Sequence, residues 1–289
     1  MTKIFLSTEN IPLNEVNDEL FVRKGIKLFV KRDDLIHPQI SGNKWRKLKY
    51  NIEEMRRQGK NTMLTFGGSY SNHILAAAAA GKEFDFETIG IIRGEEPKEK
   101  NERLKYAGRS EMKLHFVSRE KFRTITTPEF LDEMKKIFGD FYLVPQGGAN
   151  EPGVKGCSEI VSEIKTDFTH ICCAAGTGAT LAGIASSLPA GKTAIGFCVH
   201  KGFGSVKEDL VKWTRAKNNF MLMTDYHFGG FAKSTEELKN FTETFSREKQ
   251  IPVEPVYTGK MFYGIYDLVK QNFFPPGSVI ITIHTGGIF

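Results

Sequence analysis

Short runs of apolar residues alternate along the chain with segments in which apolar positions recur at helical spacing. The first pattern is typical of buried strands, and the second is typical of helices that pack one face against a core. The apolar runs predict strands at 62–66, 88–92, 113–117, 141–144, 169–174, 193–199, 220–224 and 279–283.

The segments of helical period lie between these runs. Several of them stop at a glycine, namely Gly59, Gly81 or Gly139, which is a common signal for the end of a helix. The alternation of strand and helix predicts parallel sheets covered by helices, either as one closed barrel or as two open sheets. The predicted helices span 44–58, 72–80, 128–138, 154–165, 180–188, 236–247 and 260–271.

Glycine-rich turns follow several of the predicted strands, at 67–68, 147–148, 176–178 and 286–287. Each turn stands at the carboxyl end of its strand, where open α/β sheets bind their ligands. This position favours an α/β fold with two open, twisted, mostly parallel sheets and helices on both faces over a barrel. It also predicts one site that is assembled from distant parts of the sequence.

Composition and charge narrow the class of protein. Of the 289 residues, 40% are hydrophobic and 26% are charged, which is typical of a globular protein and excludes extended disorder. The 40 Lys and Arg residues exceed the 34 Asp and Glu residues, and the net charge of +6 is spread along the chain. Without a basic block, nucleic acid is not an expected partner. A small anionic substrate or cofactor fits the mild positive balance at least as well.

The cysteines are too few for a disulfide framework, and they contain no Cys-x-x-Cys pair. Buried reduced thiols are therefore expected, and a metal site is not. Residues 1–13 lack the basic and apolar regions of a signal peptide, and no run of about twenty apolar residues could span a membrane. We therefore expect a cytoplasmic protein without a membrane partner. The cysteines are Cys157, Cys172, Cys173 and Cys198.

The strongest signal for an anion site is the small-residue sequence that joins the strand at 169–174 to the next helix. It reads Cys-Ala-Ala-Gly-Thr-Gly-Ala-Thr and ends at Thr180. The first N–H groups of a helix have no internal partner, and small side chains let a phosphate reach them, with Thr177 and Thr180 as added hydroxyl donors. The sequence lacks the Gly-Lys-Ser/Thr of a Walker A loop and the third glycine of a dinucleotide-binding turn. A tight packing turn is the alternative.

Lys44 is a second candidate, in the sequence Ser-Gly-Asn-Lys-Trp-Arg-Lys that opens a helix. The positive end of the helix dipole disfavours a cation in the first turn. The same field favours the neutral, nucleophilic amine that a Schiff-base lysine needs. The alternative is a solvated lysine in a basic stretch with Arg46 and Lys47.

Two further segments have polar side chains at the start of a helix. Ser71, Asn72 and His73 precede an alanine-rich helix. We expect them at its exposed N-terminus, where Ser71 or Asn72 can also act as the cap. Tyr257 and Thr258 stand at a turn that enters another helix. Packing is the alternative for the tyrosine, unless it completes a pocket with the terminal His-Thr-Gly-Gly sequence.

Taken in order, these segments resemble one known family. Gly-Asn-Lys-x-Arg-Lys, Gly-Gly-x-x-Ser-Asn-His, the small-residue loop, Val-Tyr-Thr-Gly-Lys and His-Thr-Gly-Gly recur in this order in the D-cysteine desulfhydrase and 1-aminocyclopropane-1-carboxylate deaminase family. The resemblance runs from near Lys31 to the C-terminus. It implies the tryptophan-synthase-β-like fold, which is fold type II of the pyridoxal-phosphate enzymes, and pyridoxal 5'-phosphate as the cofactor.

The resemblance implies a role for each motif that binds the cofactor. Lys44 would bind the cofactor aldehyde as a Schiff base, and Lys47 would contact the phosphate. Asn72 would hold the phenolic oxygen, and Thr285 would be the hydroxyl partner of the pyridine nitrogen. The phosphate cradle would be formed by Thr177, Gly178, Ala179 and Thr180.

The resemblance also implies the substrate contacts. Ser71 would bind the substrate carboxylate or help to move a proton. Tyr257 would be a second acid/base or positioning group beside Lys44. The implied substrate-binding set is Ser71, Asn72, His73, Tyr257 and Thr258.

Three positions favour the desulfhydrase within this family. The deaminases carry glutamate where this chain has Thr258, leucine where it has Thr285, and glutamine where it has His73. A neutral hydroxyl beside the pyridine nitrogen makes a weaker electron sink than a carboxylate does, and expulsion of a thiolate needs less carbanion stabilisation than opening of a cyclopropane ring. Phe231 stands where relatives often carry tyrosine, which implies a missing hydroxyl and a substrate preference that can differ.

The sequence therefore predicts a pyridoxal-phosphate lyase acting on a small D-amino acid, with D-cysteine converted to pyruvate, hydrogen sulfide and ammonia. The alternatives are 1-aminocyclopropane-1-carboxylate deaminase, a non-catalytic binder of the cofactor or of an amino acid, and a kinase-like phosphate binder, which the missing Walker lysine disfavours. We expect a large domain from residues 1–47 and 148–289, a small domain from 48–147, and a homodimer.

Overall fold

The computed structural model describes residues 6–202, 204–214 and 219–288. The chain divides into two units, one formed by Lys44–Gly153 and the other by Leu6–Asn43 together with Val154–Phe289. Within the described ranges, no helix is both long enough and apolar enough to cross a membrane.

The strands of the described chain are numbered here in sequence order. They form two separate sheets. The strands are β1 (Leu13–Glu15), β2 (Lys27–Lys31), β3 (Thr62–Gly68), β4 (Glu87–Arg93), β5 (Lys113–Val117), β6 (Tyr142–Val144), β7 (His170–Ala175), β8 (Thr193–Cys198), β9 (Phe220–Met223) and β10 (Val279–Ile283).

The α-helices alternate with these strands. Several begin at a side-chain oxygen that accepts a hydrogen bond from a first-turn N–H, as Asp18, Asn101, Thr127 and Thr235 do. The helices are α1 (Glu19–Lys24), α2 (Asn43–Arg57), α3 (Asn72–Phe84), α4 (Glu102–Arg109), α5 (Pro128–Phe138), α6 (Glu151–Ser162), α7 (Ala179–Ser187), α8 (Gly204–Trp213), α9 (Glu236–Lys249) and α10 (Thr258–Lys270).

The unit formed by Lys44–Gly153 is built on a parallel sheet in the order β5-β4-β3-β6. Apolar side chains of the two central strands form a core with helix α5, which contributes Phe130 to Leu64, Phe66 and Ile89. Strands that are buried on both faces are continuous apolar runs, and this explains why the apolar pattern alone located them.

Helix α3 packs on this sheet through a run of buried alanines, Ala76–Ala80. The prediction that this helix ends at Gly81 is wrong, because the helix continues to Phe84 and is ended by Asp85 in the left-handed conformation. Gly81 serves packing instead, since a Cβ there would lie 2.6 Å from Cγ2 of Thr88. The glycine marks a close approach of helix and strand rather than the end of the helix.

The other unit is built on a sheet in the order β1-β2-β10-β7-β8-β9. Strand β1 is antiparallel to β2, and every other neighbouring pair in this sheet is parallel. Its core joins Leu28 and Val30 of β2 and Phe197 of β8 to Phe262 of α10.

The prediction of two mostly parallel sheets with helices is confirmed. Every predicted strand and helix is present, with the ends of β5, α5 and β10 as predicted and the ends of the others shifted by a few residues. Five elements were not predicted, namely β1, β2, α1, α4 and α8. Strand β2 reads Lys-Leu-Phe-Val-Lys, in which only Leu28 and Val30 are fully buried between charged ends. Such a short alternation between charged residues gives a weak apolar signal.

Candidate functional site

Lys44 lies in the first turn of helix α2, as predicted, and its side chain is partly exposed. Gly42 precedes the helix with φ +62°, and a Cβ at this position would overlap the backbone oxygen of Thr285. Only glycine permits both the positive φ and this close approach. The turn that leads into the lysine helix therefore depends on Gly42.

A buried polar network fixes Lys47, one turn further along α2. Its Nζ donates to the backbone oxygen of Gly147, 3.0 Å away, in the glycine turn that follows β6. Its own backbone oxygen accepts from Nδ2 of Asn51 at 2.7 Å, and Oδ1 of Asn51 accepts from Tyr142 at 3.1 Å and from Asn150 at 2.7 Å. A network with every member hydrogen-bonded holds its side chains in one arrangement.

Ser71 caps helix α3, which confirms one of the two expected capping residues. Its Oγ accepts hydrogen bonds from the backbone N–H groups of His73 at 3.2 Å and Ile74 at 3.3 Å. A Cβ at Gly67 would lie 2.6 Å from that Oγ and from Cγ1 of Ile74. The glycine at the end of β3 is therefore required for the turn that presents Ser71.

Asn72 is held by a residue that the sequence did not indicate. Nε of Arg103, on helix α4, donates to Oδ1 of Asn72 at 3.1 Å. The neighbouring turn is fixed as well, because Nδ2 of Asn101 donates to the backbone oxygen of Ser69 at 2.9 Å. Because the amide oxygen of Asn72 accepts from Arg103, the NH₂ group of the same amide points away from Arg103 and can donate to another group.

His73 is buried, with 2% of its surface exposed, so the prediction that it lies at an exposed helix N-terminus is wrong. Its Nε2 lies 2.9 Å from Oγ1 of Thr65, and that hydroxyl donates its hydrogen to the backbone oxygen of Val144 at 2.8 Å. The hydroxyl must therefore accept from Nε2–H, which leaves Nδ1 as an unprotonated acceptor. Nδ1 is buried and has no hydrogen-bond partner among the described residues.

The electrostatic surroundings keep His73 neutral. Burial, and after it the charges of Lys44 and Lys47, lower the pKa of the His73 imidazole to about 3. The same interactions mean that Lys44, Lys47 and His73 lie close together within their unit. We call these three residues the lysine cluster.

The small-residue loop follows β7, at the carboxyl end of that strand, and leads directly into α7. Gly178 has φ +82°, and a Cβ there would lie 2.8 Å from Cγ1 of Val206. The N-cap residue, Gly178, has no side chain to cap the helix, and the first turn of the helix contains no acidic residue. An uncapped N-terminus with small side chains, from Gly178 through Ala179, leaves backbone N–H groups available to an anion.

Thr180, in the first turn of α7, is buried and has a partner outside the loop. Its Oγ1 accepts a hydrogen bond from Nδ2 of Asn43 at 2.8 Å. A hydroxyl that accepts in this way keeps its own hydrogen for donation. Thr177 lies in the loop itself and is partly exposed.

The entry to helix α10 is organised by Glu254. Its carboxylate accepts from the backbone N–H groups of Val256 at 2.7 Å, Tyr257 at 3.0 Å and Thr258 at 2.8 Å. The hydroxyl of Thr258, which is fully buried, also donates to it at 3.1 Å. Glu254 therefore caps the turn that contains Tyr257. It also accepts the hydrogen bond that the hydroxyl of Thr258 donates.

Thr285 follows β10 and is almost fully buried. The neighbouring His284 fixes the chain at this point, since its Nδ1 accepts from the N–H of Gly286 at 3.2 Å and its Nε2 faces the backbone oxygen of Pro252 at 2.6 Å. Burial lowers the pKa of His284, although the Asp34 carboxylate opposes this. The last glycine turn is thus held by a neutral histidine.

The residues present fit pyridoxal phosphate. The uncapped N-terminus of α7, with hydroxyl groups at Thr177 and Thr180, is the donor set that a phosphate dianion requires. Lys44 supplies the amine that an aldehyde requires. The buried, unpartnered Nδ1 of His73 is an acceptor for which the described chain offers no donor.

Sequence reasoning missed several residues that support these side chains. The partners of most of these residues are distant in sequence, whereas those of Glu254 lie two to four residues further along its own turn. A signal was available for Asn43, which stands inside the Gly-Asn-Lys motif, and for Lys260, which ends the Val-Tyr-Thr-Gly-Lys motif. The missed residues are Asn43, Thr65, Arg103, Glu254 and Lys260.

Comparison with known proteins agrees with this chemistry. A protein of Pyrococcus horikoshii with the provisional name 1-aminocyclopropane-1-carboxylate deaminase is 32% identical over 281 residues, which cover 91% of this chain and 85% of the relative. A bifunctional D-cysteine desulfhydrase/1-aminocyclopropane-1-carboxylate deaminase of Arabidopsis thaliana, described as mitochondrial, is 30% identical over 297 residues, with coverage of 91% and 73%. The crystal structure of a homologue of ACC deaminase superposes with a TM-score of 0.83 and 27% identity over 99% of this chain and 91% of the homologue.

Almost the whole chain matches one protein family. Residues 4–286 match the pyridoxal-phosphate dependent enzyme family. The expected cofactor and fold type are thereby confirmed. The chain belongs to the family of pyridoxal-phosphate dependent enzymes.

Proposed function

We propose that this chain is a lyase that eliminates the β-substituent of a small D-amino acid, and that D-cysteine is its substrate. The net reaction converts D-cysteine and water to pyruvate, hydrogen sulfide and ammonia. The Cα–H and Cβ–S bonds break, and the sulfur leaves with the electron pair of the Cβ–S bond. Family membership, the lysine cluster and a relative whose name includes this activity support the proposal.

We assign the cofactor contacts as follows. When bound, pyridoxal phosphate supplies an electron sink that stabilises negative charge at Cα of an amino acid. Lys44 would hold its aldehyde carbon, and the NH₂ group of Asn72 would donate to its phenolic oxygen. Thr285 would face the pyridine nitrogen. The phosphate would be held by Lys47, Thr177, Gly178, Ala179 and Thr180.

Ser71 is the residue that we assign to the substrate carboxylate. Its Oγ already accepts two backbone N–H groups, so its remaining function is donation of its own hydrogen. An anchored carboxylate fixes which bond at Cα is aligned for cleavage, and thereby sets both the rate and the preferred stereoisomer. The amine of Lys44, or Tyr257 in its phenolate form, would take the Cα proton.

The observation that carries the choice of elimination is the hydroxyl side chain at each of Thr258 and Thr285. The carboxylate in contact with Thr258 belongs to Glu254, and backbone N–H groups of α10 already bind it. The pyridine nitrogen would therefore meet a neutral hydroxyl rather than a carboxylate. This gives a weaker electron sink, which suffices for the expulsion of a thiolate.

The second candidate is 1-aminocyclopropane-1-carboxylate deaminase, which the names of several relatives favour. A non-catalytic binder of the cofactor or of an amino acid is the third. The test compares D-cysteine, L-cysteine and 1-aminocyclopropane-1-carboxylate on the cofactor-loaded protein, and follows sulfide, pyruvate and 2-oxobutyrate. We expect equal amounts of sulfide and pyruvate from D-cysteine, and rates at least about tenfold lower with the other two compounds.

Either of two other results would contradict the proposal and support another function. Faster release of 2-oxobutyrate from the cyclopropane substrate would make the chain a deaminase. A lasting spectral change on addition of D-cysteine, without any product, would make it a binder.

We also propose a cytoplasmic homodimer. The four cysteines are free and buried, which suits a reducing compartment. The dimer rests on the family resemblance, and sedimentation equilibrium tests it: a single species of the monomer mass would contradict it.

A further inference from the structure

Lys260 is a fully buried lysine outside the proposed catalytic set, and its ammonium lies among backbone carbonyl groups. Nζ donates to the backbone oxygens of His227 at 2.8 Å, Gly230 at 2.8 Å and Val199 at 3.2 Å. An ammonium has three N–H donors, so these three acceptors use all of them. Burial lowers the pKa of Lys260 to about 8, with the charge of Glu254 opposing the shift, so the ammonium is charged near pH 7.

Two of these carbonyls belong to a segment with an unusual backbone. Phe228 and Ala232 have φ angles of +50° and +55°, and the glycines between them, Gly229 and Gly230, have φ angles of +88° and +125°. Positive φ costs free energy at non-glycine positions, so such a segment persists only where other contacts hold it. The ammonium of Lys260 is positioned to supply those contacts, since it binds the segment on both sides of Gly229.

The segment includes Phe231 and places its ring against that of Tyr257. The two rings meet edge to face, with centroids 5.8 Å apart and an interplanar angle of 72°. Tyr257 in turn lies beside the small-residue loop, because a Cβ at Gly176 would be 3.4 Å from its Cε1. Phe231 is 51% exposed, so its other face is an apolar surface beside the Tyr257 ring.

We propose that Lys260 is a positioning residue that holds Phe231 against Tyr257, and that Phe231 thereby favours a thiol over a hydroxyl as the leaving group. This inference rests on the proposed function for its substrate class. A sulfur atom packs favourably against an aromatic ring, whereas a hydroxyl at an apolar surface loses hydrogen bonds to water. D-Cysteine should therefore be preferred to D-serine, and the preference should depend on both residues.

The first test measures the segment directly and does not depend on turnover. Hydrogen exchange of the 227–233 amides is compared between the cofactor-loaded wild type and Lys260→Met, which keeps the length and the apolar character of the side chain. Lys270→Met, at an exposed position of the same helix, is the matched control. We expect faster exchange at Gly230 and Lys233 in Lys260→Met alone. Unchanged exchange would overturn the positioning role.

The second test measures the ratio of kcat/KM for D-cysteine to kcat/KM for D-serine. We expect the ratio to fall about tenfold in Lys260→Met and in Phe231→Ala, and no further in the double variant, because both changes remove one shared contact. Losses that multiply in the double variant would show that the two residues act separately and would overturn the inference.

Two additional variants keep this test decisive if Lys260→Met folds poorly. Lys260→Ala should recover part of its ratio with added methylammonium, which can occupy the same carbonyl site. Phe231→Tyr should lower the ratio in a fully folded protein, and an unchanged ratio would overturn the role of Phe231. Absence of D-cysteine turnover in the wild type would overturn the proposed function, while the exchange measurement would still decide the role of Lys260.

Discussion

The Nε2 atom of His73 lies 2.9 Å from Oγ1 of Thr65, and the onward bond from Thr65 to the oxygen of Val144 fixes which histidine nitrogen carries the proton. One hydroxyl on strand β3 thus sets the tautomer of a residue on helix α3. Nδ1 of His73 is left as a buried acceptor in the lysine cluster.

Removal of the Thr65 hydroxyl should lower the stability of the fold and allow His73 to adopt its other tautomer. We expect Thr65→Val to lower the free energy of unfolding by about 1–3 kcal/mol, because Nε2–H then becomes a buried donor without a partner. Thr65→Ser keeps the hydroxyl and is the matched control. Urea denaturation measures the free energy, and the ¹⁵N shifts of His73 report its tautomer. Equal stability of the Val and Ser variants would contradict the role of the bond.

His73 should also contribute to the pH dependence of stability. Its pKa in the folded chain is about 3, below the ordinary value of 6.5, so the unfolded chain binds a proton that the folded chain does not. The stability that His73 contributes is therefore complete above pH 6.5 and is lost as the pH falls toward about 3. The slope for one such group approaches about 1.4 kcal/mol per pH unit.

Other groups titrate in the same range, so the measurement is a difference between variants. We expect His73→Gln to flatten the dependence of the unfolding free energy on pH between 6.5 and 4, as sampled in urea titrations. The wild-type protein, measured in parallel under the same conditions, gives the reference slope. A wild-type slope in His73→Gln would show that this imidazole is protonated in the folded chain.

The bond between Arg103 and Asn72 leads to a prediction about cofactor affinity. Since Nε of Arg103 holds the amide oxygen, Arg103→Met should let the amide rotate and weaken its donation to the cofactor. We expect the Kd for pyridoxal phosphate to rise roughly threefold to tenfold, the size of one hydrogen bond. Absorbance titration measures the Kd. Arg109→Met, a change at an exposed position of the same helix, should leave the Kd unchanged. An equal rise in Kd for both variants would show that the loss of positive charge, and not the bond to Asn72, weakens binding.

Gly42 is predicted to be irreplaceable for a reason beyond its backbone conformation. Gly42→Ala combines a positive φ of +62° with overlap on the backbone of Thr285, whereas Gly191→Ala has a similar φ of +79° and open space around its Cβ. We expect about 1–2 kcal/mol of lost stability for Gly191→Ala and about 2–5 kcal/mol for Gly42→Ala. Comparable losses in urea denaturation would mean that the contact with Thr285 relaxes freely.

The sequence was informative where one local rule decides the structure. The place of Lys44 in a first helical turn follows from the pattern of α2, and the uncapped turn at Gly178 follows from its small residues. Both sheets could be predicted because buried parallel strands appear as apolar runs.

Other features depend on contacts between distant segments, which no local pattern contains. His73 is buried because the alanines of α3 bring the helix close to its sheet. The roles of Arg103 and Lys260 are set by hydrogen bonds to distant residues that form only in the folded chain. Thr258 was predicted as a substrate residue, and its bond to Glu254 gives it a further task that the sequence did not reveal.

The identity of the cofactor-binding lysine is the central claim, and covalent trapping tests it most directly. The protein loaded with pyridoxal phosphate is reduced with borohydride, digested and mapped by mass spectrometry. We expect the pyridoxyl group on Lys44, and none on Lys47 or Lys260. Lys44→Ala should carry no label, while Lys270→Met should be labelled as the wild type is. Label on another lysine, or unchanged labelling of Lys44→Ala, would contradict the claim.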